Sequence, residues 1–391
     1  MLKSYKTEID PTEEQETKIR NTIGVCRYVY NFFIAENKRR YEDGQKHMSG
    51  MDFSKWLNNE YIPNNPDKGW IKDVSSKSVK QSILNAHTAY QRFFKKQSGF
   101  PSFKKKSRSD VKMYFVRNRA SEIIQCDRHR IKIPTLGWVR LKEFGYLPTS
   151  TTIKSGSVSC RAGRYFVSVL VEEEDVECQD LTDTGIGVDL GIADFAVVST
   201  SDVYENINKT DEMRRLYKKL RREQRGLSRK QEAYKKTKKL KGEATRQNIQ
   251  KQILSVQKIH YRIASIRTNY INQIVNDLVK AKPAYIAIED LNVKGMVKNR
   301  RLSRAISDLG FFEFKRQLIY KATEQGKVVK SVGPFYPSSK TCSNCNHILG
   351  KDELILKMRE WLCPNCQVSH DRDLNASINI LNNATVILTA A

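Results

Sequence analysis

Gly185-Ile186-Gly187-Val188-Asp189-Leu190-Gly191, followed by Phe195-Ala196-Val197-Val198, reads as a strand, a turn and a second strand, with one aspartate among apolar residues and glycines. Tyr285-Ile286-Ala287-Ile288-Glu289-Asp290-Leu291 has the same texture, a buried-type strand that runs into acids. A further acid, Asp373, lies in His370-Asp371-Arg372-Asp373-Leu374-Asn375-Ala376, where a helix begins. Hard divalent ions prefer oxygen ligands, and a pair of them can clamp the attacking and leaving oxygens of a phosphodiester. Acids far apart in sequence suit that work if the fold gathers them. The residues alone leave a plainer reading open. An Asp after a strand also serves as a cap or turn residue, and Glu289 as a surface acid. Asp371 and Asp373 could both be acids of a helix N-terminus.

Downstream, Cys342-Ser343-Asn344-Cys345 and Cys363-Pro364-Asn365-Cys366 form two C-x2-C pairs with seventeen residues between them. Each pair fits a tight turn that points both thiolates at one tetrahedral ion. The spacing predicts a structural Zn2+ held by Cys342, Cys345, Cys363 and Cys366. Four ligands fill its shell, so it is not catalytic. It holds together a segment too short to bury much apolar surface. His347 and His370 lie nearby, and with four cysteines present neither is needed as a ligand. Cys26, Cys126, Cys160 and Cys178 are scattered, and are expected to be small buried or half-buried thiols in a reduced chain without disulfides.

The chain has 391 residues, which suits two or three domains. Its formal net charge of +26 exceeds what a globular fold needs, and a polyanion offsets such self-repulsion. Nucleic acid is the expected polyanion. No long apolar span, signal peptide or lipidation motif is evident, so no membrane is expected, and the chain should stay in the cytoplasm or on the nucleoid of a prokaryote. Leu2 to Ile9 reads as a strand, ended by Asp10-Pro11-Thr12, with Thr12 as a helix cap and Glu14 and Gln15 in the first turn. Helical spacing then continues to about Phe94. Pro63-Asn64-Asn65-Pro66-Asp67 breaks it, and a second helix runs from about Ser78. Gly99-Phe100-Pro101-Ser102-Phe103-Lys104-Lys105-Lys106 is a basic loop with aromatics inside it. Residues 112–178 alternate as short strands of a small barrel or sandwich, which the first strand would close. Arg214 to Lys241 holds fourteen Lys or Arg against Glu223 and Glu232, either a solvated helix face or a phosphate-binding one. Further helices are expected over 247–281, 303–325 and 374–381, with a strand at 328–332.

The ordered set of Gly187-Val188-Asp189-Leu190-Gly191, Ile288-Glu289-Asp290-Leu291, the two cysteine pairs and Asp371-Arg372-Asp373-Leu374-Asn375-Ala376 resembles the TnpB proteins, transposon-encoded relatives of the type V CRISPR nucleases. Pro11-Thr12-Glu13-Glu14-Gln15, Arg27-Tyr28-Val29-Tyr30-Asn31, Phe100-Pro101-Ser102-Phe103-Lys104 and Tyr336-Pro337-Ser338-Ser339-Lys340-Thr341-Cys342 extend the likeness over nearly the whole chain. Asn346 departs from it, standing where Gly commonly follows the second cysteine. The resemblance implies an α/β multidomain protein. A RuvC-like, RNase H-like nuclease domain (183–335 and 367–391) carries an inserted zinc ribbon (336–366). A helical recognition domain (11–108) and a small wedge-like β-barrel (1–10 and 109–182) precede it.

The resemblance further implies an RNA-guided DNA endonuclease with the triad Asp189, Glu289 and Asp373, binding Mg2+ or Mn2+. Its partners would be a guide RNA from the transposon end and target double-stranded DNA beside a short adjacent motif. Candidate nucleic-acid contacts are Lys77 and Gln81, four apart on one helix face, the loop residues Phe103, Lys104 and Lys105, and Arg214, Arg215, Lys218, Arg221 and Arg222. For Tyr90, Phe93, Phe94, Phe100 and Phe103, helix core and base stacking are equally open. Alternatives are a guided repressor without nuclease activity, a miniature CRISPR effector, an unguided transposase or resolvase, and a plain zinc-ribbon nucleic-acid binder.

Overall fold

The computed structural model describes residues 2–106, 110–117, 124–149, 151–173, 184–239 (backbone alone for 237–239), 246–350, 353–355 and 357–389. The chain divides into two compact units, Met1–Asp175 and Val176–Ala391. Cys178 and Lys241 lie outside the described residues.

In the first unit, β1 (Leu2–Asp10) ends at Pro11, and Thr12 caps α1 (Glu13–Glu42). Thr12 Oγ1 accepts the Gln15 N–H at 3.3 Å while Gln15 Oε1 accepts the Thr12 N–H at 3.0 Å, a reciprocal capping box. After α2 (Gly50–Trp56) and a π-helical turn (Leu57–Tyr61), α3 (Ile62–Asn64) contains Pro63 in its first turn, where a missing N–H is harmless. The helical run therefore breaks at Asn65, inside the stretch 63–67 expected to break it. A 3-10 segment (Pro66–Asp73) leads into α4 (Ser76–Phe94). The apolar faces of these helices meet around Phe33, Ile34, Phe53, Leu57, Ile83 and Ala86, all fully buried.

The strands β2 (Met113–Val116), β3 (Arg130–Ile133), β4 (Gly137–Leu141), β5 (Ile153–Arg161) and β6 (Arg164–Glu172) join β1 in an antiparallel sheet of order β2-β5-β6-β1-β4-β3. The N-terminal strand is central, paired with β6 from Leu2 opposite Glu172 to Ile9 opposite Tyr165. Ile19 and Ile23 of α1 pack onto the sheet's core of Met113, Phe115, Ile131, Val139 and Val167. Of the scattered cysteines, Cys26 is buried and Cys126 half-buried. Cys160 is exposed, against expectation, because it stands beside the turn that closes the β5–β6 hairpin.

In the second unit, β7 (Ile186–Leu190), β8 (Asp194–Val198) and β9 (Val203–Glu205) form an antiparallel meander. A basic helical hairpin follows, α5 (Asp211–Lys239) and α6 (Gln247–Lys280), closed by Met213, Leu220, Ile259 and Ile263. Next come β10 (Tyr285–Glu289), the short helices α7 (Val293–Met296) and α8 (Ser303–Leu309), α9 (Phe311–Glu324) and β11 (Val328–Val332). The helix expected over 303–325 is thus two helices, because Gly310 adopts φ +75° and turns the chain between them. A two-stranded ribbon, β12 (Glu360–Leu362) and β13 (Ser369–Asp371), precedes α10 (Arg372–Asn383) and the edge strand β14 (Val386–Leu388). The six-stranded sheet has the order β14-β11-β10-β7-β8-β9, with β7, β10 and β11 mutually parallel.

Alternation along these strands decides which face each residue meets. Ile186, Val188, Ile286 and Ile288 point to the core formed with α6 and α9, around Ile274, Leu278, Phe314 and Leu318. The intervening residues face α10, where Ala287 packs on Ile380. Gly187 lies on this second face under α10. A Cβ there would stand 2.8 Å from Leu381 Cβ and closer still to the Ser377 carbonyl. Gly187→Ala should therefore push the helix off the sheet and destabilise the unit by about 3 kcal/mol. Urea denaturation would measure this; a loss below about 0.5 kcal/mol would contradict the packing described.

Candidate active site and metal centre

The same alternation sets Asp189 and Glu289 on the α10 face, two residues beyond Gly187 and Ala287. The register pairs Ile186 with Ile286, Gly187 with Ala287 and Val188 with Ile288. One step further along, Asp189 lies beside Glu289, on neighbouring strands about 4.8 Å apart. Asp373 comes from the first turn of α10. Asp371 is that helix's N-cap, its Oδ1 accepting the N–H groups of Asp373 at 3.0 Å and Leu374 at 2.8 Å. The cap thus engages Asp371, while the half-buried Asp373 carboxylate acts on Asp189. Asp373 also borders a cleft with Asp194, Val197, Ser201, Val203, Asp371 and Leu374.

Burial, and then the charges of Glu289 and Asp373, push the Asp189 carboxyl up to about 7, against a smaller opposing pull from Arg372. Burial raises Glu289 as well. Acids held in this state gain most from a cation, and an all-oxygen set fits Mg2+ or Mn2+. Arg359, from the segment between the cysteine pairs, donates from Nη1 to Asp373 Oδ2 at 2.7 Å. No sequence pattern marked Arg359, because nothing in the spacing shows that the ribbon turns back onto α10.

The four cysteine sulfurs lie within 4.8 Å of one another, the one such His/Cys/Asp/Glu group among the described residues. Cys342 and Cys366 are 3.6 Å apart, as are Cys345 and Cys363. Zn–S bonds of about 2.3 Å in a tetrahedron require S–S separations of about 3.8 Å, so the donors fit zinc.

The two pairs are built alike. The N–H of Cys342 donates to His347 O at 2.8 Å and that of Cys363 to Val368 O at 2.9 Å. The residues after the second cysteines, Asn346 and Gln367, both adopt left-handed φ, 60° and 57°. Asn tolerates that region well, which is why the turn forms without the glycine. Asn365 bonds to Cys345 and Asn344 to Cys366, so each pair's asparagine steadies the other pair's second thiolate. The Asn365 bond helps hold the Cys345 thiol down to about 6, while burial pushes Cys342 up to about 12. His370 Nε2 lies 3.0 Å from Cys342 Sγ, beside the sulfur cluster.

The candidate nucleic-acid residues are distributed over both units. In the first, Lys77 is exposed on α4, and Gln81, one turn on, donates to Asn85 Oδ1 at 3.0 Å. Phe103 and Lys105 are exposed, as are Phe94 and Phe100, whereas Tyr90 is core. Lys104 is partly committed to structure: its backbone pairs with the Asn31 side chain and its ammonium lies over Tyr30. In the second, Arg214, Arg215, Lys218, Arg221 and Arg222 are all exposed on α5. Arg214 pairs with Asp211 at 3.3 Å and Arg222 with Glu223 at 3.8 Å. No described helix is long and apolar enough to cross a membrane.

Three family models match the chain: a helix-turn-helix domain over 1–46, a probable transposase over 168–300 and a Cas12f1-like TNB domain over 311–380. "Putative RNA-guided DNA endonuclease InsQ" of Escherichia coli (strain K12) is 30% identical over 97% of this chain and 92% of its own length. "Putative RNA-guided DNA endonuclease" of Streptomyces pristinaespiralis is 31% identical over 97% of this chain and 88% of its own. The Cas12f1 chain solved with sgRNA and target DNA aligns at TM-score 0.54 and 12% identity, over 98% of this chain and 99% of that one, a likeness of fold. Fold and site thus define a Cas12f-like α/β protein with a four-cysteine ribbon set before its last helix. Within that class, the chain belongs to the TnpB family.

Two measurements follow from this geometry. Cys342→Ser and Cys363→Ser should lower bound zinc from about one ion per chain to about none and destabilise the C-terminal unit; unchanged zinc content and melting would refute the ligand set. The second concerns the metal-free protein. Because Asp189 keeps its proton to about pH 7 when folded but releases it near 3.8 when unfolded, stability should fall as pH rises through that window. The slope is at most about 1.4 kcal/mol per pH unit. Asp189→Asn should flatten it in chelator-treated samples; an unchanged slope would contradict the assigned environment.

Proposed function

We propose that the chain is an RNA-guided DNA endonuclease whose RuvC-like site consists of Asp189, Glu289 and Asp373. The observation that carries this reading is the strand register and alternation that sets Asp189 and Glu289 side by side under the helix bearing Asp373, with Asp189 raised by burial and then by its two acidic neighbours. The sheet order, an antiparallel meander followed by parallel strands, supports an RNase H-like domain. In this reading 183–335 and 367–391 form the nuclease domain and 336–366 the zinc ribbon. The helical region 11–108 recognises nucleic acid, and the sheet of 1–10 and 109–182 closes as a wedge-like barrel.

Asp189, Glu289 and Asp373 would hold Mg2+ or Mn2+, which would supply activation of water and stabilisation of the leaving oxygen. The chain's own residues do the rest. The apolar core beneath the strands fixes Asp189 and Glu289 at their positions. The Asp371 cap fixes the first turn of α10, and the Arg359 guanidinium orients the Asp373 carboxylate. The exposed cations of α5 and of the Phe100–Lys106 loop would neutralise phosphates. Sequence choice would reside in base pairing with a guide RNA transcribed from the transposon end, and the protein would read a short adjacent motif in the target duplex. Lys77 and Gln81 are the proposed motif readers.

The test is to purify the protein from cells carrying its native locus and sequence the copurifying RNA. Mg2+ and a plasmid library with a matching target beside randomised flanks are then added. A discrete RNA, with cleavage that depends on target match and one flanking motif, is expected. Asp189→Ala should abolish cutting and spare RNA and DNA binding. Binding without cleavage by the unaltered protein would favour the repressor, and absence of a specific RNA an unguided enzyme.

A further inference from the structure

Two asparagines of α10 are buried at about 1% exposure each, with their side chains turned toward the cysteine ribbon. Asn375 Nδ2 donates to Thr341 O at 2.8 Å, and its Oδ1 accepts the Ser343 N–H at 2.9 Å. Asn379, one turn on, donates to Thr341 O at 2.6 Å and to Ser338 O at 2.8 Å. These bonds bracket Cys342, gripping the residue on each side of it. On the other side of the helix start, His370 reaches the Cys342 sulfur, and Trp361 lies against the His370 ring at 4.8 Å. Asp371, Arg372 and Asp373 lie between these two attachments. The first turn of α10 is therefore tied at both ends to one cysteine knuckle.

We propose that Asn375 and Asn379 are positioning residues that latch the first zinc knuckle onto α10, so that zinc held in the ribbon stiffens the placement of Asp373. The catalytic half of this inference rests on the proposed nuclease reading; the zinc half does not. The chemistry requires amides. Thr341 O and Ser338 O need donors while Ser343 N–H needs an acceptor, and an asparagine side chain offers both. Aspartate supplies no donor, and alanine leaves buried backbone groups unpaired. The four sulfurs hold residues 342–345 in their turn when zinc is bound. The carbonyls the amides grip are then fixed, and α10 is fixed with them. Coupling of this kind is reciprocal: if zinc orders the helix start, loosening the latch must loosen zinc.

The experiment uses the full chain with its copurified RNA, in unaltered form and as Asn375→Asp, Asn379→Asp and Asn379→Ala. Ile263→Val, a core truncation in the α5–α6 hairpin of the same unit, serves as a control for general destabilisation. One readout is the rate at which zinc passes to a chromophoric chelator. The other is the Mg2+ concentration giving half-maximal cleavage, separated from the plateau rate at saturating Mg2+. The latch variants should release zinc roughly tenfold faster and need roughly tenfold more Mg2+, with target-DNA binding retained and both values unchanged in the control. Unchanged zinc release in all the asparagine variants, or equal acceleration in the control, overturns the latch. Faster zinc release with an unchanged Mg2+ requirement overturns the coupling to Asp373. Faster zinc release from a complex that cuts nothing even unaltered supports the latch and overturns the nuclease reading instead.

Discussion

The approach of α10 to β7 is the contact on which the second unit depends. With no side chain at Gly187, the helix backbone lies directly on the strand, Leu381 and the Ser377 carbonyl filling the space a Cβ would take. That depth brings the first turn of α10, and so Asp373, down to the level of the strand ends carrying Asp189 and Glu289. Gly185 repeats the accommodation two residues earlier, against Tyr285 and Leu381. The opposite face of the sheet is filled by large residues, Phe314 and Leu318 among them, so the strands cannot retreat from the helix.

Electrostatics oppose this arrangement. Burial, and then the charges of Glu289 and Asp373, raise the Asp189 carboxyl, and burial raises Glu289. The structure offsets this locally with Arg359 on Asp373 and Arg372 near Asp189. The ribbon faces a related difficulty, since four thiolates around a dication carry net negative charge. Asn344, Asn365 and His370 lie against the sulfurs for that reason.

Much of this was legible in sequence because the signals were periodic or spaced. The strand at 185–191, the cap at Thr12, the helix after Asp371 and the two cysteine pairs each depend on a short window whose chemistry has few solutions. What sequence could not supply was pairing at a distance. Alternation shows that Asp189 and Gly187 share a face, but only the parallel register with β10 brings Glu289 beside them. The central position of β1 was not readable for the same reason, since a strand's neighbours lie more than a hundred residues away. Gly310 looked like an ordinary residue within a helical period, and its left-handed backbone is what divides α8 from α9. Asn379 was missed although it stands one turn after Asn375; helical spacing marks a shared face without saying what that face grips. Short β9 and β14 escaped because three residues make too small a pattern.

The pairing of β1 with β6 also carries a kinetic consequence. The first strand emerges from the ribosome with no partner, and its neighbours, from residues 137–141 and 164–172, arrive far later. At about 5–20 residues per second the wait is on the order of ten to thirty seconds. Over that interval α1, α2 and α4 can assemble from local contacts, whereas the sheet cannot close around β1. Nascent chains of this architecture thus pass through a stage in which a helical nucleus carries an unpaired strand ahead of α1. For that stage, the Lys3 and Lys6 side chains on β1 supply the charge that discourages pairing with a neighbouring nascent chain.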